Sequence, residues 1–340
     1  MTQPRKTIRD VATDAGVSHQ TVSRVINNSD LVSPETRARV KTVIKELDYR
    51  PHAVARSLAK GRSYTFVCLS PNLVDLTFAG ILEGAEAEAR GFDYLLVSSS
   101  APDDEAFSAL IDQLVPTRRV DGMIIINPYV DARHMLVPEG FPVVYVGSRS
   151  MNTSISSVAL DDFEAGRAAA QHLLDLGYRK ISMVTGPHNE DCTQDRSAGY
   201  RLALQNAGLP YEEANIRTGD WSATSGYVAY HSFLAGNLQP TAVFSQNDLM
   251  AVGVMRAARE ENIRIPSELS VIGIDDIPLA SYFDPKLTTM KQDLNAIGRE
   301  ATRLLIDTIG NPNNQREHVK ISPQLVIRNS TTLHQGGDGQ

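Results

Sequence analysis

The sequence predicts a small all-α head of helix-turn-helix type, followed by a larger α/β body of two similar subdomains on parallel sheets. Three observations carry this. The chain has 340 residues and is 42% hydrophobic, enough for two or three domains with cores of their own. Charge changes sign along it: residues 1–62 hold 12 Lys+Arg against 6 Asp+Glu, whereas residues 63–340 hold 21 against 34. Periodicity is helical throughout the head and alternates between apolar runs and amphipathic segments from Tyr64 onward. Two cysteines, Cys68 and Cys192, cannot build a disulfide framework, and the N-terminus has no apolar signal core. No apolar run nears the ~20 residues of a membrane span. The expectation is a cytoplasmic chain with no membrane association.

In the head, Ile8, Val11, Ala12 and Ala15 share one helical face, with Thr7 as cap and Asp10 able to complete a capping box. Gly16 ends that helix. Ser18 opens a second one through about Asn27, with Val22, Val25 and Ile26 inward. Asn27-Asn28-Ser29-Asp30 is loop chemistry. Ser33 as cap, Pro34 at the first position and Glu35 in the first turn launch a third helix whose core face is Val40, Val43, Ile44 and Leu47. Helix, short Gly-containing turn, helix is the arrangement that places a second helix in the DNA major groove. The outward face of that helix carries His19, Gln20, Ser23 and Arg24. Glutamine pairs in two places with adenine and arginine with guanine, so a basic head with this face reads as a duplex-DNA binder. Beyond Tyr49-Arg50-Pro51, residues 52–59 form a short stretch of helix propensity whose largest apolar side chain is Leu58. So short a helix orders only when packed against something. The division expected is a head over 1–50, a hinge over 51–63, a body over 64–330 and a flexible tail over 331–340.

In the body, strands are expected at Tyr64–Leu69, Tyr94–Val97, Gly122–Ile126 and Val143–Val146, with helices near 74–90, 103–115 and 130–136. A second series has strands at Ser157–Leu160, Lys180–Thr185, Ala242–Ser245, Leu269–Ile274 and Leu287–Lys291. Its helices fall near 162–176, 194–207, 222–235, 248–261 and 294–309. Alternation of this kind gives parallel sheets covered on both faces, which bind ligands at the carboxyl ends of their strands. Ser70-Pro71-Asn72 stands where a glycine-rich dinucleotide turn would be, no P-loop or nucleophile elbow occurs, and the histidines have no metal spacing. No catalytic constellation, cofactor site or metal site is proposed. Asp161-Asp162 and Asp275-Asp276 read as hydroxyl-binding or helix-capping carboxylates. Arg196, the single tryptophan Trp221, Asn247, Asp275 and Gln292 follow strands on one side, and such a set holds sugars.

Thr7-Ile8-Arg9-Asp10-Val11-Ala12 and Ala15-Gly16-Val17-Ser18-His19-Gln20-Thr21-Val22-Ser23-Arg24-Val25-Ile26-Asn27 resemble the headpiece of the lactose-repressor (LacI/GalR) family of bacterial transcription regulators. Val32-Ser33-Pro34-Glu35-Thr36-Arg37, Gly219-Asp220-Trp221-Ser222-Ala223, Asn247-Asp248-Leu249-Met250-Ala251, Ser270–Asp276 and Leu287–Asp293 extend the resemblance over about residues 6–333. It implies a headpiece plus two periplasmic-binding-protein-like (type I) subdomains, acting as a homodimer on palindromic operator DNA and answering to a small-molecule effector. It further implies that His19, Gln20, Ser23 and Arg24 face bases, that Ser18, Thr21, Asn27 and Ser33 touch phosphate, and that Leu58 wedges into the minor groove. For the effector it implies Pro71, Asn72, Phe78, Arg149, Arg196, Trp221, Asn247, Asp275 and Gln292. Val146-Gly147-Ser148-Arg149 departs from the aspartate common at that place, so the resemblance does not carry lactose-type specificity, and Arg149 suits either another sugar or an anionic one. No leucine heptads follow Ser330, and no tetramer-forming tail is expected.

The function expected is a repressor of carbohydrate-utilisation genes released from its operator by a sugar inducer. The alternatives are a ligand acting as corepressor and, far behind, a cytosolic sugar-processing enzyme.

Overall fold

The computed structural model describes residues 6–27, 29–49, 61–129, 131, 133–147, 155–311 and 313–334. Two compact units result, Met1–Tyr64 and Thr65–Gln340.

In the first unit, α1 (Ile8–Asp14), α2 (His19–Ile26) and α3 (Pro34–Glu46) enclose Val11, Val22, Val25, Val40 and Val43. Each start is fixed by its cap. Thr7 and Asp10 form the reciprocal capping box, Ser18 accepts from the Thr21 amide, and Ser33 accepts from the Thr36 amide. Gly16 takes φ +61° between α1 and α2, a left-handed turn that favours glycine. The Arg39 Nε donates to the Ala15 carbonyl at 3.0 Å and ties α3 to that turn.

In the second unit, the described residues form two six-stranded sheets. The first contains β1 (Thr65–Ser70), β2 (Leu95–Ser100), β3 (Gly122–Ile126), β4 (Val143–Val146), β5 (Ser156–Leu160) and β11 (His318–Ile321), in the order β11-β5-β4-β3-β1-β2. The second contains β6 (Ile181–Thr185), β7 (Ile216–Thr218), β8 (Ala242–Ser245), β9 (Ser270–Asp275), β10 (Thr288–Lys291) and β12 (Gln324–Val326), in the order β12-β10-β9-β8-β6-β7. Every pairing is parallel except β10 with β12. In both sheets the order reverses beside the first strand, which makes two topological switch points where a ligand site is expected.

The helices are α4 (Leu76–Gly91), α5 (Asp104–Leu114), α6 (Asp162–Asp175), α7 (Asp191–Asn206), α8 (Ala223–Ala235), α9 (Asp248–Glu260) and α10 (Leu294–Gly310). Three pairs cross on facing glycines: Gly84 with Gly298 (α4, α10), Gly166 with Gly199 (α6, α7), and Gly226 with Gly253 (α8, α9). At each, an added Cβ would lie within 2.2 Å of the partner helix's backbone.

Three assignments are corrected. Residues 157–160 and helix 294–309 fall to the first subdomain, because β5 pairs with β4 and α10 packs on α4 and β4. The chain thus crosses between sheets after β5, after β10 and after β11, whereas strand–helix alternation says nothing about which sheet a strand joins. Residues 133–136 form a 3₁₀ turn instead of an α-helix. The packed chain also continues past Ser330, where a free tail is expected. Thr331 bonds to Thr288 and to the His172 ring at 3.0 Å, and the His334 ring rests on Tyr178. Residues 335–340 lie outside the described residues.

The Gly166 crossing yields a test. Gly166→Ala places a methyl 2.1 Å from the Arg196 carbonyl and is expected to cost about 1–3 kcal/mol or more, lowering the melting midpoint of the full chain. Gly91→Ala, in open space at the end of α4, is expected to be neutral or slightly stabilising. Equal midpoints for both variants would contradict the close crossing.

Candidate functional site

The head gathers its expected contacts along α2 and the start of α3. His19, Gln20 and Arg24 are exposed, and Ser23 and Thr21 are half-buried. Ser18 and Thr21 share a hydroxyl contact of 3.0 Å, and Asn27 closes α2 by donating to the Ser23 carbonyl at 2.9 Å. Ser33 caps α3 while remaining exposed. A polar, exposed α2 face with a satisfied backbone is free to bond elsewhere. Leu58 lies outside the described residues.

In the second unit a cavity of about 290 Å³ opens where the carboxyl ends of both sheets meet. That is near the lower edge of the ~300–1,000 Å³ usual for small-ligand sites. From the first subdomain come Asn72, Asp75 and Phe78 after β1, Tyr129 after β3 and Gly147 after β4. Asp162, Glu190, Cys192, Arg196, Asp220, Trp221, Asn247, Asp275 and Gln292 close it from the second subdomain and its connections. Of the sequence-derived residues the structure therefore brings together Asn72, Phe78, Arg196, Trp221, Asn247, Asp275 and Gln292. Pro71 is buried at the end of β1 and is absent from the cavity wall, because the Asn72 side chain turns the chain there by accepting from the Val74 and Asp75 amides. Arg149 lies outside the described residues.

The polar groups are held firmly. Arg196 lies in the second turn of α7, not at its start, and is 5% exposed. Its Nε donates to Asp162 at 2.7 Å, its Nη1 donates to the Gln246 carbonyl, and its guanidinium lies 5.6 Å from the Trp221 ring centre. Asn247 caps α9 through Met250 at 2.8 Å and donates to the Trp221 carbonyl at 2.9 Å. Trp221 sits at φ +71° against Gly186, where a Cβ would strike the indole at 2.0 Å. Gln292 donates to Asp275 at 2.7 Å. Burial, then the neighbouring Asp248 charge, pushes the Asp275 carboxyl well above the usual carboxylate range.

Sequence reasoning missed Asp75, Tyr129 and Glu190 as wall residues. Asp75 caps α4 through the Thr77 and Phe78 amides. Tyr129 and Glu190, both in the cavity wall, form a backbone bridge between the two subdomains, and the Asp191 amide donates to the Pro128 carbonyl at 3.0 Å. Trp221 Nε1 donates to Glu190 at 3.0 Å. These contacts join distant loops, and no local pattern announces them. The described residues hold no cluster able to bind a metal, and none of their helices is long and apolar enough to cross a membrane.

Burial raises the Glu190 carboxyl, with the indole N–H opposing only in part. The carboxylate therefore gains its proton at a higher pH than an ordinary glutamate as acid is added, and the indole loses its charged acceptor. Trp221 emission is expected to show a transition above the usual glutamate range that Glu190→Gln abolishes. A transition at or below that range would contradict the burial.

Residues 7–52 match the family model for bacterial regulatory proteins of the lacI family, and residues 170–331 match that for a periplasmic binding protein-like domain. The HTH-type transcriptional repressor PurR of Erwinia tasmaniensis is 35% identical over 328 residues, 95% of this chain and 96% of the relative. A crystal structure of the lac repressor dimer bound to operator and the anti-inducer ONPF superposes with a TM-score of 0.89 at 30% identity, covering 97% of this chain and all of that one. The complex of the regulator CelR with cellobiose gives 0.73 at 31% identity, covering 96% of this chain and all of that one. Exposed α2, twin parallel sheets and a cleft at their carboxyl ends agree with these matches from end to end. The chain belongs to the lacI family of bacterial regulatory proteins, DNA-binding transcriptional repressors governed by small-molecule effectors.

Proposed function

We propose that this repressor binds a two-fold operator as a homodimer and releases it when an unmodified sugar occupies the cleft. The observation that carries the sugar is the wall itself: the Trp221 ring stands beside carboxylates and amides fixed by their own hydrogen bonds. An aromatic face suits C–H surfaces of a sugar, and preorganised acceptors suit its hydroxyls. CelR, a relative, is known in complex with cellobiose. A second copy of the chain has apolar surface to cover, with Leu95 63% and Tyr282 83% exposed.

Operator binding then rests on the head. Affinity for a palindromic duplex should fall steeply with salt as phosphate contacts release counterions. Arg24→Ala should cost about 1–3 kcal/mol on the matched duplex. The direct test follows Trp221 emission during titration of mono- and disaccharides, then measures operator affinity with the sugar that saturates. Release of the operator is the expected result. Tightening would make the ligand a corepressor, and saturation with unchanged operator affinity would contradict the regulatory role of the cleft.

A further inference from the structure

In the head, α2 has 8 residues, a length at which a helix is marginal by itself, and its buried side chains, Val22 and Val25, anchor one face. Hydrogen bonds to base edges tolerate displacements of only about half an ångström, so the ends of α2 need fixing as well as its face. α3 supplies both fixings. Arg37 and Arg39 stand two positions apart, about 200° around the helix, and leave it on different sides. Arg39 Nε donates at 3.0 Å to the carbonyl of Ala15, the cap of α1, beyond which Gly16 and Val17 lead to Ser18 at the start of α2. That carbonyl lies at a helix end, where the helix itself leaves acceptors without partners. Arg37 Nη2 donates at 2.6 Å to the carbonyl of Ser29, just past the Asn27 cap that ends α2. The Ser29 amide in turn donates to the Arg24 carbonyl at 2.9 Å.

We propose that Arg37 and Arg39 are positioning residues for sequence reading. From α3 they clamp the chain on either side of α2 and hold His19, Gln20 and Arg24 at the angle that base pairing requires, without touching a base themselves. This rests on α2 being the helix that reads DNA. The two halves of the clamp have separate effects. Arg39 fixes the turn before α2 and so governs His19 and Gln20 in its first turn. Arg37 acts through Ser29 on the last turn, where Arg24 stands. A guanidinium that met phosphate would strengthen binding to every duplex alike, since phosphate contacts carry no sequence information. One that sets the angle of α2 strengthens the matched duplex alone.

The test uses the full-length chain, the duplex it selects from a pool with randomised two-fold half-sites, and a scrambled duplex of the same composition. The quantity read is the ratio of the two affinities. A head that merely unfolds more often loses both duplexes alike, so the ratio responds to positioning and not to stability. Arg37→Met and Arg39→Met keep most of the side-chain length and remove the donor, and each should lower the ratio about ten-fold. Arg37→Lys and Arg39→Lys, which can still donate, should restore part of it. Arg37→Met should flatten the preference at the same base pairs as Arg24→Ala, and the two losses should not add. A ratio held at its wild-type value in both methionine variants would overturn the proposal. So would equal losses on both duplexes with a salt slope shallower by about one, the mark of a phosphate contact. A lower ratio in Arg24→Ala with none in either methionine variant would sink the clamp and leave operator reading standing. A wild-type chain that prefers no duplex over the scrambled one would instead sink operator reading itself.

Discussion

A guanidinium at 5% exposure cannot stand alone, and the pairing of Arg196 with Asp162 is the constraint on which the cleft depends. An unpaired charge at such a place costs several kcal/mol, so α6 and α7 must approach closely enough for the pair to form. Gly166 and Gly199 permit that approach, since each faces the other helix's backbone with no room for a Cβ. The same guanidinium bonds to the carbonyl of Gln246, whose side chain accepts from the Gly186 amide at 3.0 Å and donates to Ser197 at 2.9 Å. Gly186 in turn leaves space for the Trp221 ring. One ion pair thus ties α6, α7, the ends of β6 and β8 and the indole wall into a single arrangement.

The remaining wall is linked to the places where the chain changes sheets. Gln292 bonds Asp275 and stands just before the crossing into α10, and Asp162 stands just after the crossing from β5. Asp275 and Asp276 hold φ of +129° and +59°, conformations kept in place by Gln292 and by the Arg328 contact to Asp276 at 2.6 Å. Strain of this kind gathers where a ligand is to be felt. In the proposed function, a ligand that pulled on Asp275 would act on both subdomains, since the two are joined by the Tyr129–Glu190 bridge and by the crossings.

The head was legible almost residue by residue, because caps, a left-handed glycine turn and a helical apolar stripe are local features. Thr7, Ser18 and Ser33 all cap as their positions require. In the body the central strands were legible as apolar runs, but sheet membership was not, and β5 and α10 looked no different from their neighbours. The short strands β7, β11 and β12 escaped because few of their side chains are buried. Of the paired aspartates, Asp161 caps α6 as a structural carboxylate would, while Asp162 took a partner 34 residues away. Arg196, Trp221 and Gln292 were reached from their places after strands on one side, and again through the family resemblance. Glu190 and Asp75 could not be, because each gains its place only when loops from different strands converge.

The measurement that bears most directly on this account is a double-mutant cycle on Asp162 and Arg196, read by chemical unfolding of the full chain. Asp162→Ala and Arg196→Ala should each destabilise by about 3–5 kcal/mol, since each leaves a buried charge without its partner. The double variant should lose far less than the two together. Additive losses would mean that the pair does not hold the cleft, and the arrangement derived from it would fall.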